Sequence, residues 1–176
     1  RWARVRHNGF RDRTADTECL SSFNPELARK NFLLALTYQY ASGYAPRTVI
    51  DGSVRPNNFS DNAVWIPMAA YFLIAETGDL SLLDEEVCFN DGSCASVFEH
   101  LRLALDYLYN FRQPGNLIKI WGGDWNDGMN MAGLQGKGVS AWLSIAWCRA
   151  CKLFCELADA YGKPMISSLF REREAE

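Results

Sequence analysis

Hydrophobic positions recur at helical spacing over much of the chain. From Pro25 to about Ala41, Leu27, Phe32, Ala35, Leu36 and Tyr38 form a broad apolar face. Asn24 is placed to cap that helix, Pro25 suits its first position, and Gly43 ends it. A second helix is predicted from Asn62 to Glu76, stopping at Gly78, with a kink at Pro67. It contains the longest apolar run, Ala63 to Ala75, which falls short of the about 20 residues needed to cross a bilayer and so reads as a buried core helix. Asp79 is placed to cap a short helix from Leu80 to Val87. Ser96-Val97-Phe98-Glu99 is a capping box that opens a helix to about Phe111, with Phe98, Leu101, Leu105 and Leu108 on one face. The last long helix runs from Ser140 to Tyr161 on the stripe Leu143, Ala146, Trp147, Ala150, Phe154, Leu157 and Tyr161, and Gly162-Lys163-Pro164 ends it. Arg171 to Glu176 reads as the start of an exposed helix.

Alternating strand periodicity is confined to Leu117–Trp121. Three long segments are irregular: Arg1 to Asn24, Ser42 to Asp61, and Arg112 to Val139 apart from that short strand. Structureless segments of about 20 residues inside a compact domain are usually functional. The pattern predicts an all-α protein. Helices linked by long loops suit an α/α toroid with its site built from loops at one end, and a helical array fits the same pattern.

Composition narrows the class. At 176 residues, 48% hydrophobic and 22% charged, the chain is an ordered domain or part of one. Its net charge of −3, without a basic cluster, argues against nucleic acid. Arg1-Trp2-Ala3-Arg4 resembles neither an initiator sequence nor a signal peptide, so residues 1–176 are expected to be part of one domain, truncated at both ends. Among six cysteines, Cys148, Cys151 and Cys155 fall on one helical stripe. They could be a metal cluster, but no histidine lies nearby, and small hydrophobes facing a core explain them better. Cys88 and Cys94 flank a loop and could pair in an oxidising compartment; reduced thiols in a cytoplasm are the expectation.

The stretch richest in chemistry is Trp121-Gly122-Gly123-Asp124-Trp125-Asn126-Asp127-Gly128-Met129-Asn130. Exposed indoles and buried carboxylates are both costly, and their conjunction with flexible glycines points to a ligand. Aromatic rings beside carboxylates and amides suit a sugar: rings cover its apolar face and polar groups hold its hydroxyls. An Asn-Asp-Gly turn decorated with core tryptophans is the plainer alternative. Arg6 to Asp16 crowds charges around Gly9, and arginine suits bidentate contacts, although a solvated, ion-paired loop would have the same composition. In Ser60-Asp61-Asn62 with Trp65, helix capping suffices for Asp61 and core packing for Trp65. His100, between Glu99 and Arg102, reads as a surface residue.

Gly123-Asp124-Trp125-Asn126-Asp127-Gly128-Met129-Asn130 resembles the catalytic-loop signature of the cellobiose phosphorylase family of inverting glycoside phosphorylases (glycoside hydrolase family 94). That family includes cellobiose, chitobiose and β-1,2-oligoglucan phosphorylases and the phosphorylase domain of cyclic β-1,2-glucan synthase. Gly9-Phe10-Arg11-Asp12 with Asp16, Ser60-Asp61-Asn62 with Trp65, and Gly138 to Leu143 resemble further landmarks in the same order. The resemblance implies a fragment of an (α/α)6 barrel that phosphorolyses a β-glucosidic bond in a disaccharide or oligoglucan with inversion, giving α-glucose 1-phosphate. It implies Asp127 as general acid, and Arg6, Arg11, Asp12, Trp125, Asp124 and Asn126 as substrate-binding residues. Arg6 and Asp12 resemble the pair that holds the non-reducing sugar, with Arg11 an alternative to Arg6. It also implies inorganic phosphate as co-substrate, a β-linked glucose disaccharide or oligosaccharide as partner, no metal and no cofactor; relatives often form a homodimer, which leaves the oligomeric state open here, and the cysteine usage is what points to a cytoplasmic location.

Ala15 stands where relatives carry Gln, Arg13 is unusual, Asn62 stands where Asp is common, and Val139 stands where Glu usually precedes Ser140. These departures bear on acceptor specificity. Asp127 is expected to be buried beside Trp125 and near Asp124, which would favour its protonated form. Phosphate-holding residues would lie further along the chain, so the fragment alone is expected to be inactive. The rival readings are a hydrolase on the same toroid, which would need a second carboxylate as base, and a carbohydrate-binding pseudoenzyme.

Overall fold

The computed structural model describes residues 7–55, 57–113, 115 and 117–176. Three helical pairs follow one another in these residues: α1 (Phe10–Phe23) with α2 (Pro25–Leu36), α3 (Trp65–Thr77) with α4 (Val97–Asn110), and α5 (Ala141–Ala160) with α6 (Pro164–Ala175). The first members pack side by side, α1 on α3 and α3 on α5, and each packs against the helix that follows it. One continuous core lies between these layers, filled by Phe32, Leu36, Ile66, Leu73, Leu101, Leu105, Leu143 and Phe154. The fold is mostly helical, and barrel closure is not reached within these residues. No helix among them is long and apolar enough to cross a membrane.

Helix ends follow local chemistry. Asn24 accepts from Leu27 N at 3.1 Å with Pro25 at the first helical position, and Ser96 accepts from Glu99 N at 3.3 Å. Gly78, at φ 69°, closes α3 in the left-handed conformation. The expected Pro67 kink has a different form. A 3₁₀ turn over Asp61–Val64 precedes α3, so Pro67 falls in the first α-helical turn, where its missing N–H costs little. Asp79 caps as predicted, but the segment it opens is a 3₁₀ turn, Leu80–Asp84, that gives way to a strand.

Helix α1 is the largest departure from the sequence reading, which left residues 1–24 without structure. Its buried face is Phe10, Thr14, Thr17 and Ser21. The three hydroxyls donate to carbonyls four residues back, at 3.0, 3.2 and 2.6 Å, so polar side chains are satisfied inside the packing. Hydrophobic periodicity has nothing to register on such a face.

Short strands line the connections. β1 (His7–Gly9), β2 (Thr48–Ile50) and β3 (Ser53–Arg55) form an antiparallel sheet in register His7↔Ile50 and Thr48↔Arg55. β4 (Glu86–Cys88) pairs with β5 (Cys94–Ser96), and β6 (Ile118–Lys119) pairs with β7 (Val139–Ser140). A disulfide joins Cys88 to Cys94 across the β4–β5 pair, correcting the expectation of reduced thiols there. Cys151 and Cys155 are buried on the inner side of α5, where burial pushes both thiols up. His100, expected on the surface, is fully buried. Its Nδ1 lies 2.7 Å from Gln39 Oε1, its Nε2 lies 3.0 Å from Val87 O, and Phe89 stacks on its ring at 3.9 Å. The buried Gln39 amide explains this placement, because it gives the imidazole a partner that its sequence neighbours do not.

Candidate active site

The N-terminal ends of α1, of the turn into α3, and of α5 converge on the loop from Trp121 to Asn130. Arg11 is the link. Its Nη1 lies 3.0 Å from Asp61 Oδ2 and donates to the Asp124 carbonyl at 3.3 Å, while its Nη2 lies 3.4 Å from Asp127 Oδ1. Burial works against the Arg11 charge, but Asp61 and Asp127 more than offset it and hold the guanidinium above its ordinary value. Burial pushes the Asp61 carboxyl up, with Arg11 opposing.

Asp124 is 3% exposed and anchors the loop from within. Its Oδ1 accepts from Asn126 N at 2.8 Å and its Oδ2 accepts from the Ser140 hydroxyl. Ser140 also accepts from Leu143 N at 2.9 Å as the cap of α5. One hydroxyl therefore ties the loop to a helix start. Asn126 accepts from Gly128 N at 3.1 Å, and this bond opens the 3₁₀ turn Asp127–Met129. Asp124 and Asn126 thus shape the loop through bonds within the protein.

Asp127 is not buried as expected. Its side chain is 56% exposed, and its Oδ1 also lies 3.2 Å from Arg47 Nη2. Asp127 therefore faces two guanidiniums at the protein surface, and the tryptophan does not shield it. Arg47 stacks over the Phe59 ring at 3.9 Å, and its carbonyl accepts from Phe10 N at 3.0 Å at the start of α1. Sequence reading missed Arg47, since nothing in its neighbourhood marks it; the β1–β2 pairing brings it to the site.

Trp125 is 55% exposed and stacks on Trp142 at 6.0 Å, and Trp142 lies 6.2 Å from Trp65. The three indoles form a row beside the loop. Trp142 was also missed, although its place in the first turn of α5, just after Ser140, could have signalled it. Asp12 is exposed in the first turn of α1 and folds back over Gly9, where any Cβ would collide with its carboxylate. No hydrogen bond joins Asp12 to the loop among the described residues. Arg6 lies outside the described residues.

Beneath the loop, Asn62 Nδ2 and Asn62 Oδ1 are buried without a hydrogen-bond partner among the described residues, and the buried Trp65 indole N–H lies near the Asp61 carboxyl. Buried polar groups left without a partner cost stability. No group of three or more candidate metal ligands occurs among the described residues.

Comparison with known proteins agrees with this architecture. Residues 3–174 match the family model described as the glycosyl hydrolase 94 superfamily catalytic domain. The chain is 34% identical over 163 residues to cellobionic acid phosphorylase from Neurospora crassa, covering 89% of this chain and 21% of that protein. It is 36% identical over 178 residues to solabiose phosphorylase from Paenibacillus borealis, covering 98% and 23%. It is 28% identical over 177 residues to N,N'-diacetylchitobiose phosphorylase from Vibrio furnissii, covering 85% and 22%. The chain spans about a fifth of the length of these relatives. With the family model matched almost end to end, the chain belongs to the glycosyl hydrolase 94 family, as part of its catalytic domain.

Proposed function

We propose that this chain carries the proton-donating part of an inverting glycoside phosphorylase that cleaves a β-glucosidic bond in a disaccharide or oligoglucan. The observation that carries the reading is Asp127, held on a loop tied to three helix starts and set against Arg11 and Arg47. A phosphate oxygen attacks the anomeric carbon and the glycosidic C–O bond breaks. The bonding pair leaves with the acceptor oxygen, which takes its proton from Asp127. Inversion gives α-glucose 1-phosphate. Trp125, exposed and braced by Trp142, offers a flat apolar face for the sugar.

The arginines give the proton transfer a condition. In the ligand-free chain they pair with the Asp127 carboxylate; an arriving phosphate competes for the same guanidiniums, and the freed carboxylate takes up a proton from solvent before it acts as acid. Arg47 is suited to this exchange because its side chain is 30% exposed, against 14% for Arg11.

A hydrolase reading is less well supported. It needs a second carboxylate free to activate water. Asp124 is buried with both oxygens bonded, and Asp61 is buried against Arg11. Phosphorolysis needs no such base, because the nucleophile arrives as an anion. The test uses the full-length protein with β-linked glucose disaccharides, with and without phosphate. Sugar 1-phosphate formed only with phosphate is expected, whereas free glucose at an equal rate without phosphate points to the hydrolase. Asp127→Asn is expected to cost about 10²- to 10⁴-fold in turnover, the usual worth of a general acid, with least loss on substrates whose leaving group needs no proton. Wild-type turnover in that variant would remove Asp127 from the role.

A further inference from the structure

A second concave site lies at the other end of the same loop. A cavity of about 300 Å³ is lined by Tyr44, Asn57, Asn58, Tyr107 and Trp121, at the lower end of the range usual for small-ligand pockets. None of these residues belongs to the Arg11–Asp127 cluster. We propose that this cavity is an accessory binding site for one pyranose ring of a β-linked glucan, separate from the sugar whose bond is cleaved. The choice of a β-glucan rests on the phosphorylase reading; the presence of a sugar site does not.

The walls carry the chemistry of sugar recognition. Tyr44 and Tyr107 lie 5.9 Å apart, Tyr107 contacts Phe111 at 4.7 Å, and Phe111 meets Trp121 edge-on at 6.0 Å. Aromatic carbon thus lines one side. The Asn58 side chain, the Tyr107 hydroxyl and the Trp121 indole N–H make no hydrogen bond among the described residues. They provide donors and acceptors that a sugar's hydroxyls could satisfy.

The site is also held in shape. The Tyr44 hydroxyl donates to Asn57 O at 2.5 Å and accepts from Asn57 N at 3.3 Å, which fixes the loop that carries both asparagines. Gly43, at φ 87°, brings this turn against α4; any side chain there would strike Leu103 O and the Cβ of Tyr107. Trp121 has φ 49°, a left-handed conformation unfavourable for a bulky residue. Bonds from Gly122 N to Asn58 O at 2.7 Å and from Gly133 N to Trp121 O at 3.0 Å keep it there. Strain of this kind persists where the surroundings over-determine it and clusters at ligand sites. Here it sets the indole against the cavity.

The experiment uses full-length protein carrying Asp127→Asn, so that sugars are bound without being consumed. β-1,2-, β-1,3- and β-1,4-linked glucose trisaccharides are titrated calorimetrically, with maltotriose as the α-linked comparison, and the best binder is soaked into crystals. Two sugar sites per chain are expected. Asn58→Ala, a surface change that leaves the core intact, and Tyr107→Leu should each weaken one site about tenfold and leave the other unchanged. One site per chain, or a second site indifferent to both substitutions, overturns the proposal. So does a crystal in which another segment of the chain fills the cavity. Phosphate-dependent turnover of the wild-type protein is measured alongside. Its absence would count against the phosphorylase reading alone, and the absence of a second sugar would count against the accessory site alone.

Discussion

Arg11 and Asp127 lie 116 positions apart in the chain, yet Arg11 Nη2 is 3.4 Å from Asp127 Oδ1. The same guanidinium is anchored from below by Asp61, whose side chain is 1% exposed. Arg11 therefore transmits the position of a buried carboxylate to an exposed one. Its partner on the open side, Arg47, has no comparable anchor.

The two arginines should differ in what they cost. Arg11→Met leaves the Asp61 charge buried and unpaired, a loss of about 3–5 kcal/mol for comparable buried pairs. Arg47→Met removes an exposed pair worth about 0–1 kcal/mol. Urea denaturation should show a large drop in midpoint for the first and almost none for the second. Arg47→Met should instead raise the KM for phosphate. Equal destabilisation by the two substitutions would contradict the anchoring described here.

Ser140→Ala removes a helix cap and the donor to Asp124 together. The cap alone is worth about 0.5–2 kcal/mol, and the buried carboxylate loses a partner as well. The combined loss should exceed that of Ser96→Ala, which removes only a cap. It should also lower turnover, because the loop that carries Asp127 loses its tie to α5. Thermal unfolding and steady-state rates on both variants provide the comparison.

Asn62 has both side-chain polar atoms buried and unsatisfied. Asn62→Leu, similar in volume, should stabilise the protein by about 1–3 kcal/mol, since leaving such groups unmade is costly. If this floor serves the site, turnover should fall as stability rises, the trade-off seen where function is kept at the expense of stability. A destabilised but fully active variant would show that the asparagine is a structural requirement.

His100 predicts a pH dependence. Burial lowers its pKa below the ordinary histidine value, although its bond to the Val87 carbonyl opposes the shift. In the window below about 6.5 the unfolded chain binds the proton more readily than the native one, so stability falls as pH drops through that window. Denaturation midpoints measured from pH 7.5 to 5 should decline, and His100→Gln should flatten the His100 part of that slope. An identical slope in the variant would assign the effect to other groups.

Much of the helical framework was legible because it depends on interactions a few residues long. Asn24, Ser96 and Ser140 accept from backbone N–H groups three residues ahead, and glycine punctuation ends the helices near where it stands. The apolar stripes of α4 and α5 reflect burial directly. Helix α1 escaped because its buried hydroxyls are satisfied by its own backbone, so burial left no apolar trace.

The loop from Trp121 to Asn130 was conspicuous in composition, and the sequence alone was enough to single out its acids, amides and indoles as candidates. Composition could not say which of them is buried; the resemblance pointed to Asp127 as the acid but led to the expectation that it lies buried. Asp124 and Asp127 are equivalent in composition, yet one is buried against Ser140 and the other stands exposed between two arginines. That difference comes from contacts with Arg11 of α1, with Ser140 at the start of α5 and with Arg47 just before β2, spread across the length of the chain. Which carboxylate braces the loop and which faces solvent is decided by packing between distant segments, because charge placement depends on neighbours in space and the sequence records only neighbours along the chain.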